Sequence, residues 1–157
     1  MRYVGIDPGL EGGIGFVEVR EGKLYGWSSM KMPRSTVRYS MAGKVFNMVD
    51  IVPMHQSIAE YRPHALIVER QVGRPNQSSV ATHTAGTNYG LILSLSLLKI
   101  STHIVAPDQW KKTLGLSADK GEAIDLCREV FGPASPAADG PAEALLIAWY
   151  GIKEKLE

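Results

Sequence analysis

Alternating and continuous apolar runs predict three strands at the start of the chain. The segment MRYVGIDP, residues 1–8, is mostly apolar and ends at the turn-forming pair Pro8-Gly9. Residues 12–19 alternate well enough to return as an antiparallel partner, and residues 23–30 follow a Glu21-Gly22 turn as a third strand. The pattern therefore predicts an antiparallel meander.

The next residues predict a crossover to a parallel strand. Residues 31–43 are polar and irregular, which is typical of an exposed loop. From Lys44 to Tyr61 apolar residues recur at helical spacing, although Pro53 must start, kink or break a helix there. The continuous apolar run in HALIVERQ, residues 64–71, predicts a buried strand, which a helical crossover would place parallel to the first strand.

The second half of the chain alternates between helix and strand patterns. A long helix is predicted over residues 80–100, where Gly86 and Gly90 weaken the helical propensity, and its apolar face is either core or a contact between subunits. The elements that follow are a strand at 103–106, a short helix from Pro107, an amphipathic helix at 120–131 and a last helix from Asp139. The length of 157 residues predicts a single α/β domain, residues 1–157.

Composition and charge narrow the class of protein. Apolar residues make up 45% and charged residues 21%, as in ordinary soluble globular proteins, and Cys127 is the single cysteine. We find no run of membrane-spanning length and no secretory signal, so we expect a cytoplasmic protein without a membrane partner. The net charge is only +1, yet Lys23 to Pro75 holds eight basic residues against three acidic ones. This asymmetry indicates either a positive binding face or an ordinary charged surface.

Two acidic residues lie where predicted buried strands end. Asp7 ends the first strand, and Glu69 ends the strand in residues 64–71. If these strands are parallel neighbours, both carboxylates emerge at the same edge of the sheet. Each residue also has a purely structural explanation, because Asp7 can cap the Pro-Gly turn and Glu69 can be a surface residue at a strand end.

The last helix opens with a second acidic pair. Asp139 and Glu143 are four positions apart and share one face of the first turn, where Asp139 can cap the helix and acids are favoured by the helix dipole alone. Gathered with Asp7 and Glu69, they would repel each other and their pKa values would rise. A carboxylate cluster without His or Cys suits Mg²⁺, and two such ions can activate a water and stabilise a leaving oxygen of a phosphodiester.

Six motifs taken together resemble the RuvC-type Holliday junction resolvases of the ribonuclease H-like superfamily, in particular their phage and chloroplast branch. The motifs are GIDPGLEGGIGF at 5–16, ALIVERQ at 65–71, TNYGLI at 87–92, VAPDQWKKTLGL at 105–116, DKGEAIDLCREVF at 119–131 and DGPAEALLIAWYG at 139–151. The resemblance implies a ribonuclease H-like fold. Its five-stranded mixed sheet has the first three strands antiparallel and the rest parallel, and helices flank it.

The resemblance also implies the site. It assigns two Mg²⁺ ions per active site, with Mn²⁺ as a substitute, to Asp7, Glu69, Asp139 and Glu143. The bacterial housekeeping branch usually has two aspartates three apart in the last helix, so the pair here departs from that pattern. Lys120 resembles a family lysine near the scissile phosphate, although it can equally be the first exposed lysine of its helix.

The implied assembly is a homodimer, paired through the 80–100 helix, on a four-way or branched DNA junction. Each active site would nick one of two opposing strands and leave 5′-phosphate and 3′-hydroxyl ends. The expected DNA contacts come mainly from the loops at 31–43 and 70–84. They are Arg34, Arg38, Arg70, Gln71, Arg74, Asn76, Gln77, His83, Lys111, Lys112 and Lys120.

Other functions remain open at this point. One is a branched-DNA or flap endonuclease of broader selectivity, and another is a non-catalytic protein that binds DNA junctions. The Asp-Pro-Gly turn also suggests an actin-like ATPase, but that fold needs a second lobe for which 157 residues leave no room.

Overall fold

The computed structural model describes residues 1–41, 44–71, 79–117 and 119–157. Its strands are β1 (Arg2–Asp7), β2 (Gly13–Arg20), β3 (Lys23–Lys31), β4 (Arg34–Met41), β5 (Lys44–Val49), β6 (Ala65–Glu69) and β7 (Ser101–Val105). Its helices are α1 (Ile51–Tyr61), α2 (Ser79–Leu93), α3 (Pro107–Thr113), α4 (Lys120–Phe131) and α5 (Asp139–Lys153), with a 3-10 turn over Ser94–Leu98.

Five strands form a central mixed sheet in the order β3-β2-β1-β6-β7. β1, β2 and β3 pair antiparallel, whereas β6 runs parallel to β1 and β7 runs parallel to β6. This topology confirms the predicted α/β fold with three antiparallel strands followed by parallel ones. It also brings the C-terminal ends of β1 and β6 to the same edge of the sheet, as the buried apolar runs predict.

Each face of the central sheet carries its own hydrophobic core. Strand residues alternate between the faces, so Tyr3 and Ile67 pack with α3, α4 and α5, while Val4 and Ile6 pack with α1 and α2. All four of these side chains are essentially inaccessible to solvent. Helices on both faces bury the sheet, which explains why β1 and β6 read as nearly continuous apolar runs.

Glycines bring α5 unusually close to β1 and β2. A Cβ at Gly5 would lie 2.1 Å from the Ala144 carbonyl oxygen, and one at Gly15 would lie 2.5 Å from the Leu145 nitrogen. At the start of α5, a Cβ on Gly13 would lie 2.8 Å from the Pro141 backbone. The helix backbone therefore rests directly on the sheet, and its first turn is fixed beside the end of β1.

The structure corrects the prediction of a loop over residues 31–43. Most of this segment lies in β4, which pairs antiparallel with β5 in a separate two-stranded sheet. β5 also replaces the beginning of the helix predicted from Lys44. The ribbon is anchored at Val49, whose N–H donates to the side chain of buried Asn88 in α2 at 3.1 Å.

Helix starts also differ from the predicted ones. α1 begins after Asp50, whose side chain accepts from the Val52 N–H at 3.1 Å, and Pro53 lies in its first turn, where no intrahelical donor is needed. α5 begins at Asp139 after Ala138 as the N-cap, so the prediction that Asp139 caps this helix is wrong. The helix expected over 80–100 becomes a 3-10 turn after Leu93. Among the described helices, none is long and apolar enough to cross a membrane.

Candidate active site

Asp7 and Glu69 lie at the ends of neighbouring parallel strands. Ile6 pairs with Val68 in the register of β1 and β6, so Asp7 and Glu69, the last residues of these strands, lie side by side. Asp7 Oδ1 accepts from the Gly9 N–H at 3.2 Å, which ties its carboxylate to the turn after β1. We call this end of the two strands, defined by Asp7 and Glu69, the carboxylate edge.

Glu69 is held in a desolvated environment. Its Oε2 accepts from the indole Nε1–H of Trp110 in α3 at 2.7 Å. The pKa of Glu69 is raised to about 7, chiefly by burial and also by the negative charges of Asp7 and Glu143, while the Trp110 hydrogen bond and Lys111 oppose the rise. Asp7, Glu69 and Glu143 are therefore near enough for their charges to interact.

Glu143 reaches the carboxylate edge from α5. Its Oε1 lies 2.7 Å from Lys111 Nζ, and both side chains are largely shielded from solvent. Lys111 Nζ also lies 5.1 Å from the centroid of the Trp110 ring. Consecutive residues of α3 thus donate to two acids that come from different elements, β6 and α5.

Asp139 lies in the first turn of α5, directly before Gly140. A Cβ on Gly140 would lie 2.1 Å from the Glu11 carbonyl oxygen and 2.6 Å from Gly12, so this turn is packed against the loop that joins β1 to β2. Asp139 lines a cavity of about 540 Å³ together with Glu11, Lys31 and Arg34. The guanidinium of Arg34 forms an ion pair with Glu11 at its rim.

The donors at the carboxylate edge fit a hard divalent cation by their chemistry. They are carboxylate oxygens, and a cation would offset the negative charges of Asp7 and Glu143, which add to the effect of burial on the pKa of Glu69. Within the described ranges, however, no group of three or more acidic, His or Cys side chains is arranged to hold a metal ion. Glu143 is paired with Lys111 instead.

The predicted DNA contacts that the structure describes lie on several different elements. Arg70 is exposed directly after β6, and Lys112 is exposed on α3. Gln71 lines a mostly apolar cavity of about 290 Å³ between the turn after β1 and α2. His83 is exposed on α2, whereas Lys111 is turned into the site by its ion pair.

Five predicted DNA contacts fall outside the described part of the structure, either as whole residues or as side chains. Arg74, Asn76 and Gln77 lie outside the described residues. Arg38 lies on β4 and Lys120 begins α4, but their side chains lie outside the described part of the structure.

Sequence reasoning gave no site role to Trp110 or Tyr89. The Tyr89 hydroxyl is buried without a hydrogen-bond partner in the described structure, and the charges of Arg70 and Glu69 are close enough to affect its pKa, which burial raises. Trp110 is separated from Glu69 by 41 positions in the chain. Neither the burial of the Tyr89 hydroxyl nor the Trp110–Glu69 hydrogen bond follows from a local sequence pattern, although the tryptophan in VAPDQWKK was a visible signal.

The sheet order and the acids on β1, β6 and α5 define an α/β protein with the ribonuclease H-like fold. Comparison with known proteins confirms the RuvC-type resemblance predicted from the sequence. The chain is similar to the crossover junction endodeoxyribonuclease RuvC of Corynebacterium jeikeium, with 27% identity over 154 residues that span 93% of each chain. No family model matches the chain.

Solved structures show the same fold. The structure of Thermus thermophilus RuvC has a TM-score of 0.65 at 22% identity and covers 99% of this chain and 98% of its own. The same protein in complex with a Holliday junction substrate has a TM-score of 0.66 at 21% identity, covering 99% and 96%. The likeness therefore extends over nearly the whole of each chain.

Proposed function

We propose that this protein is a structure-selective endodeoxyribonuclease that resolves four-way DNA junctions. It acts as a single domain over residues 1–157, by metal-dependent hydrolysis that leaves 5′-phosphate and 3′-hydroxyl nicks. The observation that carries the proposal is the end-to-end similarity to RuvC together with the interacting acids of β1, β6 and α5. We also propose a cytoplasmic location, with which the buried free thiol of Cys127 is compatible.

The proposed metal ligands are Asp7, Glu69, Asp139 and Glu143. Two bound Mg²⁺ ions, or Mn²⁺ in their place, would activate a water and stabilise the leaving oxygen of the phosphodiester. The fold supports this assignment because two acids leave adjacent strand ends and the other two lie on a helix whose first turn is packed beside them.

The chain itself supplies positive charge near these acids. Lys111 neutralises Glu143 in the free protein, which limits repulsion among the carboxylates. When cations take over that neutralisation, the Lys111 ammonium is in position to interact with the DNA phosphate. Lys120 at the start of α4 is proposed as a second cation near the scissile phosphate, where it would offset negative charge in the transition state.

The cavity beside α5 supports a path for the DNA backbone. Lys31 and Arg34 line it together with Asp139, so a sugar–phosphate strand could bind the two basic side chains next to a proposed metal ligand. Arg34 is held by Glu11 in the free protein, and a DNA phosphate would compete for its guanidinium. Further contacts with DNA are proposed for Arg38, Arg70, Gln71, Arg74, Asn76, Gln77, His83 and Lys112.

A homodimer through α2 and the following turn would supply the second active site. Gly86 and Gly90 are exposed, and a Cβ on either would meet no described atom within 4 Å. Leu97 in the 3-10 turn that follows α2 is 81% exposed, which leaves a large apolar side chain uncovered. Exposed glycines on α2 and an exposed leucine in the turn that follows it are features that suit a contact between subunits.

A substrate panel tests the proposal. Purified protein is incubated with a synthetic four-way junction, a Y-form, a hairpin and a linear duplex, in Mg²⁺ or in chelator. We expect paired nicks at symmetric positions in the junction, only in Mg²⁺. Equal cleavage of the Y-form or hairpin would favour the broader branched-DNA endonuclease, and junction binding without cleavage would favour a non-catalytic binder.

A further inference from the structure

Trp110 combines complete burial with a polar contact to a site carboxylate. The residue is 0% exposed, and its indole Nε1–H donates to Glu69 Oε2 at 2.7 Å. A buried indole N–H needs an acceptor, but a backbone carbonyl is sufficient. Trp27 illustrates that simpler solution, because its Nε1–H donates to the Phe131 carbonyl at 3.0 Å.

The Trp110 hydrogen bond differs from that of Trp27 because its acceptor is a carboxylate. Hydrogen bonds to ionised groups are shorter and stronger than neutral ones. The bond to Glu69 is short, and the Glu69 side chain has lost most of its hydration. A single strong donor on Oε2 therefore constrains the orientation of the whole carboxylate plane.

The donor is itself immobile. Trp110 belongs to the core cluster on the α5 side of the sheet, which also contains Cys127, Leu145 and Ala148. α3 begins at Pro107, and in the metal-free protein the Lys111–Glu143 ion pair also joins its last turn to α5. A buried, packed indole can transmit the rigidity of the core to a side chain at the carboxylate edge.

We propose that Trp110 is a positioning residue, whose indole N–H holds Glu69 by Oε2 and directs the remaining oxygen, Oε1, to a divalent cation. This inference rests on the proposed function, because it assigns a metal-binding role to Glu69. Groups that orient metal ligands from outside the coordination sphere typically contribute about 10- to 100-fold in metal affinity or activity. Trp110 belongs to this kind of group.

The first test compares Trp110→Phe with Trp27→Phe. Both variants lose a tryptophan N–H hydrogen bond, but only the first bond involves a carboxylate. Mn²⁺ affinity is measured without DNA by electron paramagnetic resonance. We expect Trp110→Phe to bind Mn²⁺ about 10-fold or more weakly and Trp27→Phe to bind as the wild type does. Wild-type affinity in folded Trp110→Phe would overturn the inference.

A second variant removes the donor without changing the shape of the side chain. Benzothienylalanine at position 110 replaces the indole N–H by sulfur, so it preserves packing if Trp110→Phe does not fold. The same loss of Mn²⁺ affinity is expected. On junction DNA, kcat should fall while KM stays near the wild-type value, and an unchanged kcat would count against the positioning role.

The wild-type protein gives a measurement that requires no variant. The ¹H–¹⁵N indole signal of Trp110 should shift on titration with Mg²⁺ and saturate with the metal, whereas the Trp27 signal should not move. A stationary Trp110 signal would contradict the inference.

These outcomes separate the inference from the proposed function. A protein that binds Mn²⁺ in a Trp110-dependent way but cleaves no junction refutes the function and keeps the inference. A protein that cleaves junctions with full Mn²⁺ affinity in Trp110→Phe refutes only the inference. A wild-type protein without Mn²⁺ affinity refutes both.

Discussion

Glu69 is the residue at which folding and the proposed function conflict most. Its carboxylate is desolvated and lies near two other negative charges, and one neutral donor and one cation oppose that cost. Sequence reasoning could place the acids, because strand ends and helix starts are local patterns. It could not supply their partners, since Trp110 and Lys111 meet Glu69 and Glu143 across 41 and 32 positions of the chain.

Glu69→Gln should stabilise the metal-free protein at pH 8. The pKa of Glu69 rises from an ordinary 4.5 to about 7 in the folded state, so ionisation is unfavourable there. The cost is absent below about pH 4.5, grows between pH 4.5 and 7, and is complete above pH 7. Glutamine can still accept from Trp110. Urea unfolding in chelator at pH 5 and pH 8 measures the difference.

The wild type should lose stability relative to Glu69→Gln as the pH rises between these two values. Parallel pH dependence of the two proteins would show that the Glu69 carboxylate is not destabilised by burial. Glu129→Gln, an exposed acid on α4, is the matched control and should follow the wild type.

At the scale of elements, α5 determines where the last two acids lie. Its backbone rests on β1 and β2 through glycines, and this contact orients its first turn at the carboxylate edge. The apolar stripe of α5 was visible in the sequence, and Leu145 and Leu146 are indeed fully buried. The glycine contacts were not predictable, because they depend on the register between a helix and a sheet that are distant in the chain.

The β4–β5 ribbon could not be predicted for a different reason. A ribbon that stands apart from the central sheet satisfies its backbone by cross-strand pairing and needs no regular apolar face. Hydrophobic periodicity is therefore a poor signal for it. The polar composition of residues 31–43 indicated exposure, which the structure shows for Lys31, Arg34 and Thr36, but the prediction of a loop was wrong because Arg34–Met41 forms β4.

Gly5→Ala tests the close packing of α5 on β1. The added Cβ would lie 2.1 Å from the Ala144 oxygen and 2.4 Å from the Ala148 nitrogen, both backbone atoms that cannot rotate away. We expect a loss of about 3 kcal/mol in the free energy of unfolding. Gly26→Ala on β3, where no described atom lies within 4 Å, is the control and should change little. Chemical denaturation that gives equal values for both variants would disprove the packing argument.

At the scale of the whole molecule, the carboxylate edge and the exposed side of α2 both belong to a rigid sheet covered by helices. Nearly all of this architecture follows from buried strands joined by a helical crossover, which limits the possible topologies severely. The sequence pattern does not specify the oligomeric state, because an exposed apolar residue can face solvent or a partner subunit.

Gly90→Arg should convert the proposed dimer to a monomer. A Cβ at this position meets no described atom within 4 Å, and arginine is a better helix former than glycine, so the monomer fold should be slightly stabilised. A large charged side chain would block a close helix contact and weaken association by about 2 kcal/mol, or roughly 30-fold. Light scattering after size exclusion measures the change, with Gly26→Arg as control. A Gly90→Arg protein that remains dimeric would exclude this surface as the interface.

The most direct test of the account separates junction binding from junction cleavage in Asp7→Asn. The asparagine keeps an oxygen for the Gly9 N–H but removes one negative charge from the carboxylate edge. Binding of a four-way junction is measured in Ca²⁺, and cleavage and ligation of the nicks are measured in Mg²⁺, with Asp125→Asn on α4 as a surface control. The account predicts wild-type junction affinity and no detectable cleavage for Asp7→Asn. Cleavage at the wild-type rate, or loss of binding from a folded variant, would contradict it.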